Sequence, residues 1–127
     1  MRKIYYLFLL LFVFMSCEPA SSTHKNTDTR VIPAQEFQKE IAQPQAQLVD
    51  ARTLEEYQQG HIEGAVHMDV LDQEKFVSQI QTLDTTRPVY VYCKSGGRSQ
   101  TAASLLQDHG FDQVVELKGG YTAWQEQ

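Results

Sequence analysis

The chain opens on one unbroken apolar run and then settles into short hydrophobic segments parted by polar stretches. From Val31 onward these segments alternate between two periods. Residues 47–51, 65–68, 89–92 and 114–117 are compact runs of mainly aliphatic and aromatic side chains, bounded by turn-forming residues, and predict strands. Val31-Ile32 predicts a short edge strand. Between the strands the period becomes helical. Phe37 and Ile41 form an i, i+4 pair behind Pro33, placed at a first helical position. Thr53 with Glu56 three residues later fits a capping box for a short helix that Gly60 closes. Gly64 then bends the chain into the strand at Ala65. Asp72 opens a helix carrying Phe76, Ile80 and Leu83. A further helix, starting at Arg98 or Ser99, lines Ala102, Ala103, Leu105 and Leu106 along one face and stops before Gly110, a C′ glycine. A Gly119-Gly120 turn leads to a last short helix with Trp124. Such alternation predicts an α/β domain: a mainly parallel sheet covered by helices on both faces. Ligands of open sheets of this class bind beyond the carboxyl ends of the strands.

One strand ends on chemistry. Val89-Tyr90-Val91-Tyr92 delivers Cys93 into the loop Lys94-Ser95-Gly96-Gly97-Arg98-Ser99, with a helix immediately behind. Free cysteines are most often inert, buried hydrophobes. Here six polar or glycine residues follow, which argues for an exposed loop. Gly96 and Gly97 can take positive φ and let backbone N–H groups converge as an anion nest. The helix N-terminus, Lys94 and Arg98 add positive potential, which favours thiolate over thiol. Cys93 is therefore the candidate nucleophile, and residues 94–99 the candidate loop that binds its sulfur anion. The four histidines, His24, His61, His67 and His109, are scattered without metal-ligand spacing to either cysteine, so no metal and no cofactor is expected.

The start of the chain does not belong to that domain. Arg2 and Lys3 precede the apolar run from Ile4 to Met15, which is short for a membrane span and suited to a secretory signal. Ser16-Cys17 follows it. This junction resembles a bacterial lipobox, with Phe14 where leucine is usual, and implies that Cys17 is lipidated and becomes the mature N-terminus. Residues 1–16 are thus expected to be a signal peptide and 17–30 a lipidated cysteine with a flexible polar tether. Residues 31–127 form the single domain that the length allows. The expected location is the bacterial cell envelope, membrane-anchored and exported. An ordinary cleaved signal or an uncleaved anchor are the alternatives. The formal charge of −5 makes nucleic acid an unfavourable partner.

Four ordered blocks resemble the rhodanese domain: Leu48-Val49-Asp50-Ala51-Arg52, then Gly60-His61-Ile62-Glu63-Gly64-Ala65 behind Glu56-Tyr57, the Cys93–Ser99 loop, and Leu117-Lys118-Gly119-Gly120-Tyr121-Thr122-Ala123-Trp124. The resemblance spans residues 31–124. It implies a five-stranded, three-layer α/β/α fold and a sulfurtransferase that carries sulfur as a persulfide on Cys93. Its partners would be a small sulfur donor such as thiosulfate and a thiophilic acceptor: cyanide, a small thiol or a protein thiol. Two-domain thiosulfate-specialised members carry a lysine two places after the cysteine; Ser95 stands there, and Lys94 is adjacent instead. The chain also ends soon after Trp124, so the last helix is expected to fray.

The remaining residues of these blocks read as structure. Asp50 and Arg52 offer an acid–base pair, but Arg52 pairing with Glu55 or Glu56, to pin the helix on the sheet, is the expectation. His61 is read as a turn-stabilising residue, Tyr121 and Trp124 as packing, and Gly119-Gly120 as turn backbone close to the active loop. A Cys-x5-Arg phosphatase would need arginine where Ser99 stands, and a Cys-x-x-Cys oxidoreductase a cysteine where Gly96 stands. A non-catalytic binding or sulfur-carrier module is the surviving alternative.

Overall fold

The computed structural model describes residues 29–127; the apolar run, Cys17 and the segment up to Asp28 lie outside the described residues. Ten elements follow in strict alternation: β1 (Arg30–Ile32), α1 (Ala34–Ile41), β2 (Gln47–Asp50), α2 (Leu54–Gln58), β3 (Val66–His67), α3 (Gln73–Ile80), β4 (Val89–Tyr92), α4 (Gly97–Asp108), β5 (Val114–Leu117) and α5 (Gly120–Glu126). The five strands form one sheet in the order β1-β5-β4-β2-β3, and every pairing is parallel. β4 is the central strand and is buried along its whole length.

Alternation along the strands divides the core into two layers. Val49, Val89, Val91 and Val114 face Phe76 and Ile80 of α3 and Ala102, Ala103 and Leu106 of α4. Tyr90, Tyr92, Val115 and Leu117 face Phe37 of α1, with Tyr57, Tyr121 and Trp124 at its border. The three-layer α/β/α arrangement follows, because each parallel crossover must lay its helix on one sheet face or the other.

The local signals act largely as expected. Asp72 caps α3 by accepting from the Lys75 amide at 3.1 Å. Gly110, at φ 93°, sits one residue past the α4 C-cap. There the Gly110 and Phe111 amides close onto Gln107 and Leu106, satisfying carbonyls that the helix end leaves open. Thr53 accepts from the Glu56 amide, but Glu56 does not return the bond; its carboxylate pairs with Arg98 at 2.9 Å. Pro33 is the N-cap of α1 rather than its first residue. β1 begins at Arg30, the last residue assigned to the tether. α5 is helical from Gly120 to Glu126, two residues beyond Trp124.

Candidate active site

Cys93 follows β4 at the carboxyl edge of the sheet. The residue is 1% exposed, although Lys94, Ser95 and Gly97 of its loop are exposed. So the loop is open to solvent while the sulfur lies at its floor. α4 begins at Gly97, one residue earlier than the side-chain pattern suggests, because Gly96 turns the chain at φ 122°. That backbone conformation is open to glycine and strained for other residues. Gly97 itself has ordinary φ, and a Cβ there would meet no atom within 4 Å; only one of the two loop glycines is needed for its conformational freedom.

The turn aims amides at the sulfur. Gly96 N donates to Cys93 Sγ at 3.0 Å. Burial pushes the Cys93 thiol up, yet the Ser99 hydroxyl and the amides of Ser99, Gly96 and Ser95 outweigh it, and the thiol is held below its ordinary pKa. Fixed N–H dipoles thus replace water around the anion. Cationic side chains contribute less than the sequence suggested: Arg98 is committed to Glu56, and Lys94 is exposed.

The loop is held from the far side by α5. Tyr121 N donates to Cys93 O at 2.8 Å, and Thr122 N to Lys94 O at 3.1 Å. Gly120, at φ 60°, permits this contact: a Cβ there would lie 2.5 Å from Lys94 O and 2.6 Å from Cys93 O. The Gly119-Gly120 turn is therefore a clamp on the Cys93 loop. Beside it lies a cavity of about 240 Å³ lined by Arg52, Glu56, Gly60, Lys94 and Tyr121 among others.

Asp50 and Arg52 are brought together, but not as a proton-transfer pair, and Arg52 does not reach Glu55 or Glu56 as expected. Arg52 Nε and Nη2 grip the Asp50 carboxylate at 2.9 and 2.7 Å. Nη2 also donates to Gly60 O, and the guanidinium lies 4.3 Å from the Tyr121 ring centre. Tyr92 OH donates to Asp50 at 2.7 Å and accepts from the Ile62 amide at 3.0 Å. Asp50 is fully buried and requires a counter-charge; Glu56, at the surface, does not. His61 acts as expected on its turn, with Nδ1 2.8 Å from Tyr57 O and its ring stacked on Tyr57. Trp124 packs edge-on to Phe37.

A family model of the rhodanese-like domain matches residues 33–127. The chain belongs to that family. Among curated relatives, it is 40% identical over 80 residues to the thiosulfate sulfurtransferase GlpE of Shewanella oneidensis, covering 63% of this chain and 76% of that protein. It is 34% identical over 99 residues to GlpE of Pseudomonas paraeruginosa, covering 78% and 86%. Among solved structures, the Alr3790 protein of Anabaena sp. superposes with a TM-score of 0.68 at 32% identity, over 75% of this chain and 76% of that one.

Two features of this rhodanese-like site are not among the candidates read from sequence. Tyr92 was read only as strand, though its hydroxyl joins Asp50 to the Ile62 turn. Glu116 was read as part of the last strand, yet it is 5% exposed. Burial raises its carboxyl above the ordinary carboxylate range, partly offset by the Ser99 hydroxyl. The available signal was a lone acid inside the apolar run Val-Val-Glu-Leu.

Proposed function

We propose that this protein is a rhodanese-type sulfurtransferase that moves sulfane sulfur from a donor such as thiosulfate to a thiophilic acceptor through a persulfide on Cys93. The observation that carries this is the Cys93 sulfur, lying on the floor of an amide-lined loop that lowers its pKa. The thiolate attacks the outer sulfur of thiosulfate. The new S–S bond forms as the sulfur–sulfur bond to the sulfonate breaks, and sulfite leaves with the electron pair. The Cys93–S–S⁻ anion is then held by amides of the same loop. Cyanide or a thiolate takes the terminal sulfur, and the Cys93 thiolate is regenerated. No net proton is consumed when the acceptor is an anion.

The names of the GlpE relatives favour thiosulfate as a donor, whereas Ser95 in place of a loop lysine leaves less positive charge for a dianion. The basic start at Arg2 and Lys3, the apolar run and Ser16-Cys17 together support a domain held at the cell envelope by lipid on Cys17. Mass spectrometry after incubation with thiosulfate tests the reading. The expected product is one added sulfur on the Cys93 peptide, absent in Cys93→Ser, with transfer to cyanide lost while the variant stays folded. Turnover retained by folded Cys93→Ser would remove Cys93 from the mechanism, whereas wild type that gains no sulfur on Cys93 and transfers none would favour a non-catalytic module.

A further inference from the structure

Of the two buried carboxyls among the described residues, Asp50 is held by Arg52, whereas Glu116 makes no ion pair. Strand alternation explains where Glu116 points. Val115 and Leu117 face the α1 and α5 layer, and Val114 faces α3 and α4, so Glu116 shares Val114's side. Its register partner on β4 is Val91, two residues before Cys93. Glu116 and Cys93 therefore lie on one sheet face, beneath the start of α4. A cavity of about 320 Å³ there is lined by Ser95, Gly96, Ser99, Glu116 and Lys118, among others.

Ser99 joins the two. Its hydroxyl donates to Gly96 O at 3.0 Å, it lines the cavity together with Glu116, and it favours the ionised form of both Cys93 and Glu116. A serine hydroxyl has one proton to give. The Gly96 carbonyl, the Cys93 sulfur and an ionised Glu116 therefore compete for it.

We propose that Glu116 is a positioning residue that sets the charge state of Cys93 through Ser99. Ionised, Glu116 draws the Ser99 proton away from the sulfur, so the thiolate is less favoured. Protonated, Glu116 donates to Ser99 Oγ and releases the hydroxyl proton to the sulfur. The two groups then titrate as a coupled pair. The purpose is balance, because a thiolate's intrinsic nucleophilicity falls as its pKa falls. Glu116 offsets the amides of the loop and keeps the sulfur reactive as well as ionised. Other groups facing this pair are few. Lys118 lies on the cavity rim, Gln100 joins Ser99 from α4, Arg98 is held by Glu56, and β1 and β4 offer Val31 and Val91.

The proposal rests on Cys93 being the reactive thiol, and its test does not require sulfur transfer. The full chain, as wild type, Glu116→Gln, Ser99→Ala and the double variant, is alkylated with iodoacetamide from acid to alkaline pH. Modification is read on the Cys93 peptide alone. Glu116→Gln is expected to lower the apparent thiol pKa by about one pH unit and the alkaline plateau rate about threefold. The two pH profiles then cross, which a loosened fold would not produce. In the Ser99→Ala background the Glu116→Gln shift should shrink by more than half. Superimposable profiles for wild type and Glu116→Gln would overturn the proposal. So would a full shift that survives without Ser99, since the charge would then act directly through space. If Glu116→Gln does not fold, Glu116→Met removes the same charge without leaving a polar group to bury, and meets the same criteria. A crossing profile in a protein that transfers no sulfur would count against the proposed function and not against this coupling.

Discussion

At the scale of single residues, the balance at Cys93 has a measurable sign. Burial opposes ionisation, and the Ser99 hydroxyl with three loop amides favours it more strongly. A lowered pKa means that the reactive thiolate appears at lower pH. Alkylation of Cys93 should therefore rise through a midpoint below about 8.5, the free-thiol value. The same shift has a stability counterpart. A depressed pKa in the folded state adds stability fully present above the unfolded value, and that stability is lost as pH falls through the folded value. Denaturation across that interval should show wild type gaining stability with pH relative to Cys93→Ser. An alkylation midpoint at or above that of an unfolded control peptide would refute the activating role of the loop.

At the scale of elements, the site depends on how α5 meets the loop after β4. Gly120→Ala should cost on the order of 2 kcal/mol from its left-handed backbone alone, and more from the collision with the Cys93 and Lys94 carbonyls. Sulfur transfer should fall further than stability explains, because the displaced atoms belong to the proposed nucleophile's own backbone. Gly97→Ala is the control: it lies in the first turn of α4 with open space around it and should be neutral or slightly stabilising. Urea denaturation and initial rates on both variants check this pair. The elements themselves were legible in the sequence because their periods differ, and the loop because a strand, a cysteine and two glycines are adjacent. What stayed illegible depends on neighbours distant in the chain. Arg52 was assigned to Glu55 or Glu56 by helical spacing, but it belongs to the bend after β2, where Asp50 lies closest. Glu116 read only as one residue of the last strand, with nothing to show that α4 would cover its face. Gly120 declared a turn but not the carbonyls it would approach.

At the scale of the whole molecule, the parallel sheet gives the domain two unlike ends. Arg30 opens β1 at the amino edge, and Cys93 lies beyond the carboxyl edge, because every strand runs the same way. On the proposed anchoring, the lipid would join the chain only thirteen positions before Arg30. The domain would then sit close to the membrane with its sulfur site turned away from the lipid. Metabolic labelling with a fatty acid should mark wild type and not Cys17→Ala, and the mature N-terminus should be Cys17. Label retained by Cys17→Ala, or an N-terminus elsewhere, would exclude lipid attachment at this residue.

The near-complete enclosure of the Cys93 sulfur has a consequence for traffic through the site. An S–S bond is about 2 Å long, so on the proposed mechanism loading would place the transferable atom roughly that distance beyond the buried sulfur, nearer the mouth of the loop. On that mechanism the unloaded protein would hide its reactive atom, and the loaded one would present it. Entry is thus a narrow door and exit a wider one. Slender donors such as thiosulfate should load Cys93 faster than bulky aryl thiosulfonates do, while discharge should discriminate far less between small and bulky thiols. Single-turnover loading and unloading measured separately would show this asymmetry, and equal size dependence in both half-reactions would contradict it.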